Sequence, residues 1–440
     1  MKYACVLLAL TCLLSAVKAQ YLETTIQLDS ASDPQALCYN PLNNKVYCAN
    51  SGSDDVTVID GASNSIIAAV ATGRYPCALC YNPQNNDVYC ANGGSGNVTV
   101  IDGAGDSVIT TVATGDEPMA LCHNPQDDKV YCANQSSGNV TVIDGATGQV
   151  LATLPAAGGI PKVLCYNPAN DKVYCAGWAS SGSDSVTVID GATDSVVKTL
   201  AAGYSIEGLG CDSLRNKVYC ATRANYGPDS MTVIDGASDS VVAAVSMGIG
   251  RDPGILCYSS QEDKVYCAGI YHDVTVIDGS TDSVVATLPT GLLPAALCYN
   301  TQNSKLYCAN SGDVGLFDST VTVIDGASDT VVKTLVAGTQ PSALTWNPVQ
   351  NRIYVANNSG SSISVLRDTG GVGVEESPRP QATSSKPAAT VVRSLPPGAV
   401  AFDAMGRRVT SAKAGVYFVR EEPQASSHKP QAVRKVVVQQ

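Results

Sequence analysis

The string V-Y-C-A returns along the chain with its tyrosine at Tyr47, Tyr89, Tyr131, Tyr174, Tyr219, Tyr266, Tyr307 and Tyr354, the last copy reading I-Y-V-A, at steps of 41 to 47 residues. A period of that length belongs to stacked supersecondary units or to propeller blades, because one such unit cannot bury its apolar face alone.

Each unit reads as four short runs, A-L-C-Y-N, V-Y-C-A, V-T-V-I-D and S-V-I-T-T-V in the second copy. The runs are rich in Val, Ile, Thr and Tyr, and each is followed by Asn, Pro, Asp, Gly or Ser, which is the pattern of strands separated by turns. Asn82-Pro83, Asn85-Asn86 and Asp102-Gly103 supply the turns, since Pro fixes φ while Asn and Gly tolerate φ > 0. No helical periodicity competes. Four short antiparallel strands per period predict the blade of a β-propeller, a ring that leaves few strand edges exposed.

Counting the runs sets the number of blades. The first three strands occur eight times between residues 36 and 366, whereas the fourth follows only seven of them, at 65–70, 107–112, 149–154, 195–200, 240–245, 283–288 and 330–335. An eighth copy of the fourth, Leu22-Glu23-Thr24-Thr25-Ile26-Gln27-Leu28, stands ahead of all the others. The expected fold is all-β: an eight-bladed propeller closed by its N-terminal strand in the last blade, with seven blades and a stray repeat as the alternative. A small C-terminal β-sandwich-like module is expected beyond it.

Composition fits a large, turn-rich β protein: 45% of residues are hydrophobic, 15% are charged and 39 are Gly. Residues 20–368 carry 15 Lys and Arg against 34 Asp and Glu, while residues 369–440 carry 10 against 5. An acidic ring repels phosphate backbones, so nucleic acid is excluded as its partner.

The spacing from the Leu of A-L-C to the Tyr of V-Y-C is constant at ten residues, but from that Tyr to the V-I-D position it varies from 12 to 18. The variation falls between the second and third strands, on the face that also carries the segments entering each blade, and loops on a rigid frame are where binding residues sit. Trp178, Arg223, Tyr226, Tyr271, His272 and Phe317 lie in the variable loops, and Arg74, Tyr75, Tyr204 and Arg251 in the entering segments. Aromatic and Arg side chains so placed are candidate anchors for a protein or glycan, and packing at the ring's own channel is the alternative.

Fifteen cysteines follow residue 19, and twelve form six equally spaced pairs: Cys38/Cys48, Cys80/Cys90, Cys122/Cys132, Cys165/Cys175, Cys257/Cys267 and Cys298/Cys308. The constant spacing predicts that each pair shares one side of its hairpin, within reach of a cross-strand disulfide; reduced thiols serving as small core residues are the other reading. The fifth unit departs from the pattern, with Gly210 at the first Cys position, Cys211 at the Tyr position and Cys220 left without a regular partner.

Histidine occurs only as His123, His272 and His428, which leaves no multi-His metal or haem site. The repeated V-I-D-G aspartates, such as Asp60, Asp102 and Asp144, stand at the heads of turns and read as Asx-turn residues. No cofactor, metal or assembled catalytic set is expected.

Residues 1–19, with Lys2, an apolar run and small residues at Val17 and Ala19, read as a secretory signal; no other run is long enough to span a bilayer. Residues 20–368 are the propeller and 369–390 a Pro-, Gly- and Ser-rich linker. Residues 391–440 form the small β-module, with strands expected at 391–395, 400–403, 407–411, 416–420 and 435–438.

Two resemblances add to this. Val46-Tyr47-Cys48-Ala49-Asn50, with residues 56–60 and 66–72, resembles the YVTN-type β-propeller repeat, departing from it in having Cys for Val or Ala and eight units rather than seven. The tail, in Phe402-Asp403-Ala404-Met405-Gly406-Arg407-Arg408-Val409, Ala414-Gly415-Val416-Tyr417-Phe418-Val419-Arg420 and Arg434-Lys435-Val436-Val437-Val438, resembles the C-terminal sorting domain of bacterial type IX secretion. The first implies an exported or surface propeller, the second contact with the secretion machinery and passage across an outer membrane. A secreted or cell-surface binding scaffold for an extracellular protein or glycan is the expected role. A propeller enzyme, such as a lactone hydrolase or oxidoreductase, and a surface-layer component are the alternatives.

Overall fold

The computed structural model describes residues 19–29, 32–156, 159–179, 184–224, 227–313 and 316–369, together with the strand backbones at 390–392, 400–402, 408–409, 415–420 and 433–438. Residues 1–18 of the segment read as a signal, residues 370–389 of that read as a linker, and Tyr226 lie outside the described residues.

Eight four-stranded antiparallel sheets follow one another. Seven are built from consecutive strands, as in Pro34–Asn40, Lys45–Asn50, Asp55–Asp60 and Ser65–Ala71. The eighth takes its outer strand from the start of the chain: Ala19–Gln27 pairs antiparallel with Ser362–Thr369, with Leu22 opposite Leu366 and Ile26 opposite Ile363. The first strand of every blade adjoins those of its two neighbours, and the first blade meets the last, so the ring is closed.

The repeated string is buried because its two sides serve two different layers. Tyr47 and Ala49 pack with Val56 and Val58 against Val88, Cys90 and Ile101 of the next blade. Val46 and Cys48 point the other way, joining Ile59 against Tyr354, Ile363 and Val365 of the last blade. Each layer thus sets a large Tyr against a small Cys, the alternation that close packing asks for. Around the ring the eight tyrosines are the largest fully buried side chains.

This register corrects the expectation for the cysteines. Directly opposed residues share a side, and Cys38 faces Tyr47 while Cys48 faces Leu37. The two cysteines therefore sit on opposite sides of the hairpin, in different layers, and so do the pairs in the other blades, where Cys80, Cys122, Cys165, Cys257 and Cys298 face the repeated Tyr. The bond present joins two blades: Cys165 is bonded to Cys211, across 6.6 Å between Cα atoms. In other blades the equivalent thiol lies against the backbone of the Tyr or His at the Cys211 position of the next blade, Cys38 at Tyr81 and Cys80 at His123. The irregular fifth unit brings a second sulfur to that place. Thirteen further cysteines are free, among them the expected partners Cys48, Cys90, Cys132, Cys175, Cys267 and Cys308.

The side opposite the variable loops is held by a repeated latch. Lys45 Nζ reaches Gly103 O at 3.0 Å and Asp106 Oδ2 at 2.7 Å in the next blade, and Tyr47 hydroxyl donates to Asp106 Oδ1 at 2.8 Å. Lys129, Lys172, Lys217 and Lys264 repeat the ion pair with Asp194, Asp239, Asp282 and Asp329. The turn aspartates act locally, as the sequence predicts: Asp102 accepts from the backbone of Ala104 at 2.9 Å and of Gly105 at 3.0 Å.

Residues 374–440 form a second compact unit. Its described backbone is one five-stranded sheet of Thr390–Val392, Val433–Val438, Gly415–Arg420, Val400–Phe402 and Arg408–Val409, in that spatial order.

Candidate functional site on the loop face

In most blades the end of the second strand is tied to the segment entering the same blade. Gly93 donates to Tyr75 O at 2.8 Å, Gln135 to Glu117 O at 2.8 Å, Arg223 to Ser205 O at 3.2 Å and Ile270 to Asp252 O at 3.3 Å. The accepting residues all have positive φ, 55° at Tyr75 and 42° at Asp252. Carboxylates of the preceding blade clasp the same segments, Asp54 taking the Tyr75 amide at 2.8 Å and Asp229 the Arg251 amide at 2.6 Å. The loop face is thus a pinned frame, and its side chains are displayed rather than mobile by default.

Two hollows open on it. The larger, about 680 Å³, is lined by Arg74, Tyr75, Gly93, Asp116, Glu117 and Met119. Cys77 lies beside it, its Sγ 3.8 Å from Met119 Sδ, and burial pushes its thiol up to about 11.

The second, about 410 Å³, lies where the repeat is least regular and is lined by Lys162, Glu207, Arg223, Asp252, Gly254, Ile255 and Ile270. Arg223 Nε pairs with Asp252 Oδ1 at 2.6 Å, and Lys162 pairs with Glu207. Glu207 also accepts from Trp178 Nε1 at 3.2 Å and from Ser205 Oγ at 2.9 Å, while Lys162 Nζ lies 4.6 Å over the Trp178 ring. The Lys fixes one ring face by cation–π attraction, and the indole remains 40% exposed. Arg251 pairs with Asp273 next to this group. Burial raises the carboxyls of Asp252 and Asp273, and their arginines oppose the rise.

Of the residues predicted from sequence, Arg74 and Tyr75 meet at the first hollow, and Trp178, Arg223 and Arg251 gather at or beside the second. His272 is engaged elsewhere, its Nδ1 accepting from the Leu293 amide at 3.3 Å. Tyr204 and Tyr271 are exposed on the loops, whereas Phe317, expected in a loop, is exposed on the strand Leu316–Asp325, opposite Gly312; none of the three joins either hollow. Sequence reasoning missed Lys162, Glu207 and Asp252. The signal was present: the residue after the repeated Pro, or after Ile206 in the fifth unit, is Gln35, Cys77, Met119, Lys162, Glu207, Gly254, Ala295 and Ser342 around the ring, and only the fourth and fifth carry charge, of opposite sign.

Paired charges, an aromatic face and hydrogen-bonding carboxylates can recognise a polar ligand. Among the described residues no three His, Cys, Asp or Glu side chains converge as a metal-holding group, and no helix is long and apolar enough to cross a membrane.

Among solved structures, Kuenenia stuttgartiensis hydrazine synthase is similar at a TM-score of 0.57 and 20% identity, covering 70% of this chain and 100% of that one. The computationally designed Ika8 protein is similar at 0.64 and 16% identity, covering 79% and 100%. Likeness at such identities speaks for the fold. No curated protein matches the chain in sequence. The family profile of YNCE-like β-propellers matches residues 2–299, more than half the length, and with eight blades in place the chain belongs to the YNCE-like β-propeller family.

Proposed function

We propose that the protein is an exported binding scaffold, displayed at the cell surface, that recognises an extracellular protein or glycan through its loop face. The observation that carries this reading is the group Trp178, Lys162, Glu207, Arg223 and Asp252 around the second hollow. It combines an exposed indole with paired charges, the side chains that anchor polar ligands, and it sits on a ring fixed by interblade latches. The signal-like residues 1–19 and the sorting-type tail support export and attachment, with the secretion machinery as the tail's partner.

A screen of the full chain against glycans and extracellular proteins tests the reading. R223A, E207Q and shortening of the 223–228 turn are expected to weaken the binding found. L214A, in an exposed first hairpin on the opposite face, is expected to leave it unchanged. Binding that survives all three loop-face changes and is lost in L214A would overturn the assignment.

A further inference from the structure

Five blades share one bridge just below the loop face. The Asn ending the second strand sends its amide Nδ2 to two acceptors on the third: Asn50 to Asp55 at 2.7 Å and Thr57 at 2.8 Å, Asn92 to Asn97 at 2.8 Å and Thr99 at 2.9 Å, Asn134 to Asn139 at 2.7 Å and Thr141 at 2.8 Å. Asn310 and Asn357 bridge Thr320 to Thr322 and Ser362 to Ser364 in the same way.

The sixth blade keeps the acceptors and loses the donor. Gly269 stands at the Asn position, opposite Asp273, and Asp273 Oδ1 and Thr275 Oγ1 have no hydrogen-bond partner among the described residues. Both residues are buried, at 6% and 1% exposure. Leaving such acceptors unpaired is costly, and more so for a charged group. Position 269 cannot supply the donor in this backbone, because a Cβ there would come within 2.3 Å of the Arg251 carbonyl oxygen.

The pair lies next to the second hollow. Gly269 precedes Ile270, which lines it, and Arg251 holds the other oxygen of Asp273. The charges lining the hollow balance, Lys162 and Arg223 against Glu207 and Asp252, and beside it Asp229 and Asp273 face the single cation Arg251, so the local field favours a cation over an anion or a neutral donor.

We propose that Asp273 Oδ1 and Thr275 Oγ1 form the subsite for a primary ammonium group of the ligand taken by the loop face. Its N–H groups occupy the place of the Asn amide in the sibling blades and bridge the same two acceptors. The assignment rests on the binding role proposed for that face, yet it is tested without the macromolecular partner.

Methylammonium is titrated against the full chain by calorimetry and by its effect on the thermal midpoint, with tetramethylammonium as a cation that has no N–H. Methylammonium is expected to bind and stabilise, and tetramethylammonium to do neither. D273N and T275V are each expected to weaken methylammonium by about tenfold, the value of one charge-assisted hydrogen bond, while T57V in the first blade leaves it unchanged. Glucosamine and butylamine then separate a sugar-borne from a lysine-like amine, with N-acetylglucosamine as the blank. Equal responses to the two cations, no response to either, or full affinity in both D273N and T275V would overturn the subsite and assign the two acceptors to water. A blank partner screen with the methylammonium response intact would instead count against the scaffold reading alone.

Discussion

Glu23, in the first strand, grips Arg352 of the last blade with both oxygens, Oε2 accepting from Nε at 2.7 Å and Oε1 from Nη2 at 2.5 Å. The same guanidinium donates from Nη1 to Gly61 O at 2.7 Å and Ala62 O at 3.1 Å in the first blade. One side chain therefore joins three parts of the closure: the N-terminal strand, the eighth blade and the first.

R352A is expected to destabilise the ring by about 2 kcal/mol, because it removes the two-point partner of the partly buried Glu23, leaving it Arg367 at 3.6 Å, and strands two carbonyls. Burial raises the Glu23 carboxyl, but the hydrogen bonds and charges of Arg352 and, after it, Arg367 together outweigh it and the carboxyl lies below its ordinary value. A lowered carboxyl gives stability that is present at neutral pH and is lost as pH falls through its folded value. The wild-type midpoint should therefore drop more steeply than that of E23Q on acidification below about pH 4.5. Parallel curves would remove Glu23 from the closure.

Removing the first strand is a harsher form of the same test. Deleting residues 20–27 leaves Ser362–Thr369 as an open edge and uncovers Ile363 and Leu366, which are fully buried. Loss of cooperative unfolding in calorimetry is expected, since an unpaired edge and bare apolar surface now face water. An unchanged transition would show that the ring does not depend on its clasp.

Much of this was legible beforehand, and the misreadings have definite causes. The blade count and the closure followed from a fourth strand missing at one end and present at the other, because turn residues and alternating apolar positions mark each strand locally. The cysteine geometry was misjudged because register is set by the turn and not by spacing alone. With Asn40 opposite Lys45, a separation of ten residues puts Cys38 and Cys48 one step out of register, and a one-step offset reverses the side. Trp178, expected in a loop, lies in the strand Lys172–Ala179, which runs on past the repeat to include it, and Arg223 was legible as a loop residue. Lys162 and Glu207 were not, since they lie within strands and reach the hollow only through the packing of neighbouring blades.

Thiol chemistry can be counted. The chain beyond residue 19 should show about thirteen thiols when denatured without reductant and two more after reduction, from Cys165 and Cys211. In the folded state alkylation should be slow, because burial raises the thiols, Cys80 to about 12 and Cys77 to about 11. A count near three would restore the hairpin disulfides expected from spacing. A count near fifteen would remove the interblade bond.

The latch between the second and third blades lacks both partners, with Asp87 at the Lys position of the second and Gly148, in the third, at the position of Asp106, Asp194, Asp239, Asp282 and Asp329. Gly148 has φ 68°, and the aspartates at the equivalent turns have φ between 49° and 53°, so the backbone suits Asp, whose Cβ would come 3.2 Å from Thr110 Cγ2 and push that methyl aside. Asp87 is raised to about 6, chiefly by burial, with Asp102 and Asp128 adding to it. A raised carboxyl binds its proton more tightly in the folded state, so stability falls as pH climbs from about 4 toward 6. D87N should flatten that slope. The double change D87K/G148D should install the missing ion pair and raise stability by about 1–2 kcal/mol, with most of the gain appearing as coupling in a double-mutant cycle. If the two substitutions are merely additive, the latch does not work as a unit, and the five native copies are five independent contacts.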